Sequence, residues 1–257
     1  ATSAITGLLA EQLIHEKRFD DMRLVTFYLP ELQGSAWSGA SVRETLDMEV
    51  GIDFREIYGD PWSDFSQLLQ AAGMLSPPEG MRTRAALHEY LPTLRAAGEH
   101  GMDFRLASAN VEVLGWIMQR TTGKTVAELF GERIFAQLGA ERDALWATDP
   151  AGMTVASTGL AMTARDLLRF GVMLAQRGQF NARQILAPEV VQKIEAGGAR
   201  RHGLPGNEQA PFNSYRANWH VHHPTASYAA WGIHGQYLFI APAEQVVLVI
   251  QSSHPEA

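Results

Sequence analysis

The chain has 257 residues, no cysteine and a formal net charge of −7, and hydrophobic residues make up 46% of it. This length and apolar content predict a packed core and exclude global disorder. The acidic balance and the lack of a basic stripe exclude nucleic acid as an expected partner, and the lack of cysteine excludes disulfides and thiol catalysis. No apolar run reaches the roughly 20 residues of a membrane span, so no membrane partner is expected. No positively charged segment opens the chain, which argues against a signal peptide and favours a cytoplasmic location.

Local patterns in the first half of the chain predict helices. Apolar residues lie near helical spacing over residues 3 to 18 and cover most faces, which is typical of a helix in the middle of a domain. Residues 41 to 44 have the spacing of a capping box, which begins a short helix that ends near Met48. Residues 63 to 74 and 83 to 96 are predicted helices on either side of a proline-containing break.

The middle of the chain continues in the same way. A long helix is predicted to run on from Asn110 and to stop at Gly123, because glycine commonly ends helices. A second capping box, at residues 125 to 128, begins the next helix. Thr163 and Pro188 stand at the predicted first turns of two more helices. The chain is therefore mainly helical to about residue 200.

The C-terminal quarter has the character of β-structure. The predicted strands are residues 215–222, 228–233, 236–241 and 246–251. The run from Val246 to Ile250 is continuously apolar, which is typical of a strand covered on both faces. Helices followed by antiparallel strands predict an α+β fold. We expect a single domain over residues 1–257, with a helical part over about 1–200 and a strand-rich part over about 210–252.

The most specific motif lies between Phe104 and Trp116, where Phe-x-Leu-x-Ser-Ala-Asn is followed by Leu-Gly-Trp. Other matching segments, in order, are Leu46-Asp47-Met48, Tyr58-Gly59-Asp60-Pro61, Thr163-Ala164-Arg165-Asp166-Leu167, Trp219, Gly232-Ile233-His234-Gly235-Gln236 and Ser252-Ser253-His254-Pro255. Together they resemble the serine β-lactamase and penicillin-recognising superfamily, and within it the branch of the 6-aminohexanoate-dimer hydrolases. The resemblance implies a β-lactamase/transpeptidase-like fold, with a helical lobe packed on an antiparallel sheet.

The resemblance also implies serine-type hydrolysis of amides or esters through an acyl-enzyme. In the family, a serine and a lysine one helical turn later start the central helix, and a tyrosine from the second motif completes the triad. Aligned on the opening helix, the lysine position falls at Ser3, the serine position falls just before Ala1, and the tyrosine position falls at Leu106. We therefore expect the triad not to be intact in this chain, and we expect both chain ends to be cut.

The residues that the resemblance implies for substrate binding match the family better. Tyr58 stands where the family contacts the substrate amide, Ser108 follows the tyrosine position by two residues, and Trp219 matches a tryptophan that walls the pocket. His234 lies in the segment that lines the cleft, and the backbone N–H of Ile233 matches a donor of the oxyanion hole. No cofactor and no metal are expected.

Several of these positions have a simpler structural interpretation. Tyr58 and Trp219 are equally consistent with ordinary packing residues, and Leu106 is most simply one. Ser3 lies near the start of a helix, where its position favours capping of free backbone N–H groups.

Two other groups of polar residues are candidates for a metal site or a general acid/base pair. His220, His222 and His223 could hold a metal, but no carboxylate or cysteine accompanies them at a diagnostic spacing, so a surface or partly buried cluster is the default. The acids at residues 20–21 and 53–60 are interpreted as a solvated face rather than a general acid/base pair.

Three functional hypotheses remain. The chain is a serine-type amide or ester hydrolase, a catalytically inactive protein of the same fold that binds a small amide, an ester or a partner peptide, or one part of a larger protein. The expected partner is a small-molecule amide or ester, and a homodimer or a complementing segment is also considered. If strands or helices that complete the sheet layer lie elsewhere, the chain should expose apolar sheet surface and be marginally stable alone.

Overall fold

The structure is a computed structural model that describes residues 1–81, 86–198 and 214–254. Two compact units make up the chain. Unit 1 comprises Ala1–Lys17, Ala127–Leu145 and Leu160–Ala257, and unit 2 comprises Arg18–Val126 and Trp146–Gly159. The single domain that the sequence suggests stays a prediction.

Helices and strands follow the predicted order. The α-helices of the described residues are α1 Thr2–His15, α2 Val25–Tyr28, α3 Val42–Leu46, α4 Asp64–Ala71, α5 Leu87–Tyr90, α6 Ser108–Thr122, α7 Val126–Arg133, α8 Ala164–Ala175 and α9 Pro188–Ala196. The strands are β1 Leu145–Trp146, β2 Leu160–Ala161, β3 Gln179–Phe180, β4 Arg183–Gln184, β5 Ser214–Arg216, β6 Trp219–His222, β7 Ser227–Gly232, β8 Gln236–Ala241 and β9 Val246–Ile250. The predicted α+β class is confirmed. None of the described helices combines the length and apolarity that a membrane crossing requires.

The helix predicted over residues 83–96 is much shorter in the structure. Residues 82–85 lie outside the described part, and α5 ends at Tyr90. A single 3₁₀ turn, Leu91–Thr93, follows it. Pro92 within this turn has no backbone N–H to donate, so a longer α-helix could not continue through it without losing a hydrogen bond.

Unit 1 is built on a five-stranded antiparallel sheet in the order β5-β6-β7-β8-β9. The strand predicted over residues 215–222 is in fact two strands, because the chain turns at Ala217 and Asn218. Both residues have positive φ, 49° and 66°, as the two central residues of a tight hairpin require. Glycine is the usual sequence signal of such a turn, and the Ala-Asn pair lacks it, so the turn is not predicted from the sequence.

Strand β9 is not covered on both faces, contrary to the expectation from its apolar run. Helix α8 packs on one face of β8 and β9, where Gly171 lies close to the side chains of Val247 and Leu238. On the other face, Val246, Leu248 and Ile250 are 44% to 47% exposed. This row is exposed apolar sheet surface of the kind that the sequence predicts. The apolar run suggests a strand buried on both faces, but hydrophobicity alone does not show whether a second layer of structure covers the other face.

Helix α1 forms the interior of unit 1, and most of its side chains are fully buried, as predicted. The β5–β6 turn packs directly against it. The Asn218 Nδ2 group donates to the Ser3 carbonyl oxygen at 3.0 Å, and the Trp219 Nε1–H donates to the Ala4 carbonyl oxygen at 3.0 Å. The predicted capping role of Ser3 is wrong, because the helix begins one residue earlier and its N-cap, Ala1, has no side-chain cap.

Unit 2 is organised around α6, on which α2, α3 and α4 pack. The predicted end of this helix is confirmed, since Gly123 caps it with a left-handed φ of 73°. Inside the unit, the Trp37 Nε1–H donates to Asn110 Oδ1 at 2.9 Å, and both side chains are fully buried. The capping box of Ser41 and Glu44 at the start of α3 is also confirmed.

Candidate functional site

In unit 2, the start of α6 is held by a carboxylate from a distant loop. Ser108 is the first residue of the helix, and its backbone N–H donates to Glu56 Oε2 at 2.9 Å. Its hydroxyl donates to Glu56 Oε1 at 2.6 Å. Helix α6 has no side-chain cap of its own at Ala107, so the Glu56 carboxylate satisfies a backbone donor that would otherwise be free. The short hydroxyl–carboxylate distance is typical of a charge-assisted hydrogen bond.

Tyr58 extends the same cluster toward solvent. Its hydroxyl lies 3.4 Å from Glu56 Oε1, the oxygen that also accepts from Ser108. Its ring packs edge-on against Phe65 with centroids 4.9 Å apart, and the residue is still 38% exposed. Burial and the nearby Glu56 carboxylate raise the pKa of Tyr58 well above its ordinary value, so the phenol stays protonated and acts as a hydrogen-bond donor.

Leu106 is two residues before Ser108 and is 44% exposed. Leu106 is therefore not a residue of the buried core, contrary to its interpretation as a packing residue. An alkyl side chain there contributes apolar surface and no titratable group. Ile57 and Trp62, also in unit 2, are further exposed apolar residues of the loop that carries Tyr58.

Glu56 is the residue of this cluster that the sequence failed to single out. The sequence predicts a solvated face for the acids of residues 53–60, and Asp53 is exposed. Glu56 instead is half-buried and hydrogen-bonded to a residue 52 positions away. Burial raises the pKa of the Glu56 carboxyl, although the hydrogen bonds from Ser108 and Tyr58 oppose this rise. No local spacing could reveal a partner so distant in sequence.

In unit 1, the segment between β7 and β8 contains the residues implied for the oxyanion hole. Ile233 and His234 lie in a single tight turn, in which His234 has a φ of 60°. The turn is tied to the segment after β9: His254 N–H donates to the His234 carbonyl oxygen at 3.1 Å, and His234 Nδ1 lies 3.0 Å from the His254 carbonyl oxygen. The Gln236 side chain donates to the Ser252 carbonyl oxygen. These contacts fix the backbone of the turn from which the Ile233 N–H projects.

Trp219 lies in the core of unit 1. It is fully buried, its Nε1–H donates to the Ala4 carbonyl oxygen, and its ring meets Tyr228 edge-on with centroids 5.4 Å apart. This burial favours the packing interpretation of Trp219 over the predicted contact with a substrate. The contact itself stays a prediction.

Substitution of Trp219 separates the two interpretations. Trp219→Phe is expected to lower the free energy of unfolding by about 1–3 kcal/mol, because the buried Ala4 carbonyl loses its hydrogen-bond donor. Urea unfolding measures this change. Trp62→Phe, at a side chain that is 53% exposed, is the control and should leave stability unchanged. Unchanged stability of Trp219→Phe together with weaker substrate binding would instead support the wall of a pocket.

The histidines of β6 do not form a metal site. Among the residues that the structure describes, no group of three or more histidine, cysteine, aspartate or glutamate side chains could hold a metal ion. His220 stacks edge-on between Tyr215 and Trp231. Burial lowers the pKa of His220 to about 4, so its imidazole is neutral near pH 7. His222 Nδ1 lies 2.7 Å from Thr225 Oγ1.

The arrangement of helices and sheet defines the class of protein. Solved structures with the same fold include a penicillin-binding protein homologue from Caulobacter crescentus, which matches 98% of this chain and 76% of its own with a TM-score of 0.70 at 17% identity. A candidate 6-aminohexanoate-dimer hydrolase from Bacillus anthracis matches with a TM-score of 0.88 at 28% identity, over 98% of this chain and 66% of its own. The fold is thus that of the β-lactamases and penicillin-binding proteins, as predicted.

The family follows from the sequence as a whole. The chain belongs to the β-lactamase family, whose model matches residues 1–257. It is 35% identical over 258 residues to the 6-aminohexanoate-dimer hydrolase of Paenarthrobacter ureafaciens, covering 99% of this chain. The chain spans 65% of the length of that relative. The resemblance that the sequence motifs suggest is therefore confirmed at the level of a β-lactamase-fold serine hydrolase family related to that enzyme.

Proposed function

We propose that the protein is a serine-type hydrolase of small linear amides or esters and acts through an acyl-enzyme. The observation that carries the proposal is the 35% identity to a 6-aminohexanoate-dimer hydrolase along 99% of this chain. The exposed part of Tyr58 and its neighbours supports it. Unit 2 thus offers a protonated phenol at Tyr58 and exposed apolar side chains at Ile57, Trp62 and Leu106, which suit a substrate with a polar amide or ester group and a short alkyl chain.

In this proposal each predicted residue has a limited role. When substrate binds, the Tyr58 hydroxyl exchanges its 3.4 Å bond to Glu56 for a hydrogen bond to the substrate carbonyl or amide, and Ser108 offers a second hydroxyl to the substrate. The backbone N–H of Ile233 stabilises the oxyanion, and His234 supports the turn that presents it. The nucleophile of the proposed acyl-enzyme is a serine. Catalysis then requires a proton acceptor, which neither Ser3 nor Leu106 provides.

The test is labelling by a fluorophosphonate probe, read by intact mass and fragmentation, together with hydrolysis of 6-aminohexanoate dimer and of a p-nitrophenyl ester. We expect one adduct per chain and turnover of at least one of the two substrates. Neither adduct nor turnover would reject the hydrolase proposal and leave a non-catalytic binding protein as the explanation of the fold.

Removing the Tyr58 hydroxyl should weaken catalysis without unfolding the protein. Tyr58→Phe is expected to lower kcat/KM by about fivefold, since one hydrogen bond contributes on the order of 1 kcal/mol and the ring packing on Phe65 is kept. Steady-state kinetics with 6-aminohexanoate dimer as the substrate measures the change in kcat/KM. Tyr28→Phe removes a hydroxyl that bonds to the backbone of Asp20 instead, and it should leave kcat/KM unchanged. Equal effects of the two substitutions would contradict a substrate contact by Tyr58.

A further inference from the structure

The cluster at the start of α6 contains a hydroxyl and a carboxylate in direct contact, in a site where Leu106 supplies no titratable group. We propose that Ser108 and Glu56 form a proton relay, in which Ser108 receives the proton of an attacking hydroxyl group and passes its own proton to Glu56. This inference rests on the proposed hydrolase function and names two residues that would act as its proton acceptor.

The geometry already favours transfer between the two residues. The Ser108 hydroxyl donates to Glu56 Oε1 at 2.6 Å, a distance within the range of charge-assisted O–H···O bonds. The Ser108 backbone N–H donates to Glu56 Oε2 at 2.9 Å, so hydrogen bonds to both oxygens fix the orientation of the Glu56 carboxylate. A relay that is pre-aligned in the resting protein needs little reorganisation when the proton moves.

The groups around Glu56 suit it as the acceptor. Tyr58 donates to the same Oε1 at 3.4 Å, and its raised pKa makes it a donor rather than a base. Burial, then the Asp64 carboxylate and then Glu56 raise the pKa of Tyr90, whose hydroxyl donates to the Asp64 carbonyl oxygen. Arg55, next in sequence, pairs with the Asp64 carboxylate at 3.6 Å. Burial raises the pKa of the Glu56 carboxyl, and a carboxylate with a higher pKa is a stronger proton acceptor.

The proton balance closes over one catalytic cycle. The O–H bond of the attacking hydroxyl, from a serine in acylation or from water in deacylation, breaks as its oxygen bonds the carbonyl carbon. That proton forms a new O–H bond on Ser108 Oγ while the original Ser108 proton moves to Glu56. In the reverse direction, Glu56 returns its proton to Ser108, and Ser108 protonates the leaving amine, alcohol or enzyme serine. Glu56 and Ser108 end in their starting states.

A purely structural role is the competing explanation, because Glu56 also caps α6. Glu56→Gln distinguishes the two. The glutamine oxygen can still accept from the Ser108 backbone N–H, so the cap persists, and the amide NH₂ group can donate to the Ser108 hydroxyl oxygen. An amide cannot, however, take up the proton. Leu106→Tyr adds a second discriminating change, because it introduces a phenol two residues before Ser108, where an alternative proton acceptor could act.

The experiment compares pH–rate profiles for p-nitrophenyl ester hydrolysis by the wild-type protein, Glu56→Gln, Ser108→Ala and Glu56→Gln combined with Leu106→Tyr. For Glu56→Gln we expect a loss of about 100-fold in kcat or more, little change in KM and loss of the acid limb of the profile. Ser108→Ala should lose a similar factor. The double variant with Leu106→Tyr should recover at least about tenfold. Asp53→Asn, on the same loop but exposed, is the matched control and should keep the wild-type profile.

The outcomes separate the relay from the hydrolase proposal. Turnover by the wild type with an unchanged kcat and acid limb in Glu56→Gln would overturn the relay and leave the hydrolase in place. A second outcome would also overturn the relay: Glu56→Gln loses rate together with melting temperature, and Leu106→Tyr does not restore the rate. Glu56 would then act only as the cap of α6. No turnover and no fluorophosphonate adduct in the wild type would overturn the hydrolase and the relay with it.

Discussion

Gly7→Ala is expected to destabilise the protein by about 3 kcal/mol, the upper part of the usual range for overpacking a core. A Cβ at this position of α1 would lie 2.0 Å from the Ala217 carbonyl oxygen and 2.6 Å from its carbon. These are backbone atoms, so relief requires the whole β5–β6 turn to move. That turn is attached to α1 on both sides of the contact, through Asn218 to Ser3 and through Trp219 to Ala4.

Urea unfolding of Gly7→Ala measures the effect, with Gly131→Ala as the matched control. Gly131 lies in α7, and nothing lies within 4 Å of a Cβ built there. Alanine is the better helix former, so the control should be unchanged or more stable by up to about 1 kcal/mol. A Gly7→Ala protein as stable as the control would show that helix and turn are not packed at this distance.

Glu112→Gln is expected to remove a pH-dependent part of the stability. Glu112 is fully buried in unit 2, where its carboxylate accepts from the backbone N–H groups of Ala156 and Ser157 at 2.8 and 2.9 Å. Burial raises its pKa from 4.5 to about 7, against the effect of these hydrogen bonds, and the nearby Asp149 adds to the rise. The folded protein thus holds a proton at Glu112 over a pH range in which the unfolded chain has released it.

The direction of the pH dependence follows from this difference in proton binding. Between pH 4.5 and about 7 the folded state binds more protons than the unfolded state, so the free energy of unfolding falls as the pH rises. The Glu112 contribution is fully present below the unfolded pKa, and roughly 3 kcal/mol is lost by the time the pH passes the folded pKa.

Urea unfolding of the wild type and Glu112→Gln at several pH values tests this. The glutamine side chain can accept only one of the two N–H groups, which costs on the order of 1–3 kcal/mol at low pH. The stability advantage of the wild type should then shrink by roughly 3 kcal/mol between about pH 4.5 and pH 8, because other titrating groups cancel in the difference. A difference that is constant with pH would show that Glu112 does not change its protonation on unfolding in this range.

The candidate site was only partly predictable from the sequence. The motif from Phe104 to Trp116 located the start of α6, and Ser108 and Tyr58 do meet, through a shared carboxylate. That carboxylate, Glu56, was assigned to a solvated face, because its charge and its loop position favour exposure in the absence of a visible partner. The burial of Trp219 was equally hidden, since an aromatic residue at a strand start fits either a core or a pocket.

Local sequence patterns are sufficient to predict the elements whose hydrogen bonds close within a few residues. The capping box of Ser41 and Glu44, the end of α6 at Gly123 and strand β8 all follow from local spacing and backbone preference. The family also follows from sequence, because many weak motifs in order are specific together.

Features that depend on partners distant in sequence are visible in the folded structure alone. Glu56 meets Ser108 across 52 positions and Glu112 meets Ala156 across 44, and their burial shifts both carboxyl pKa values upward. The Ala217–Asn218 turn adopts positive φ without glycine, and the Asn218 side chain bonds to a helix more than 200 residues earlier. Such contacts form only once the chain has folded, because packing rather than local propensity sets which groups lose water and which partners they find.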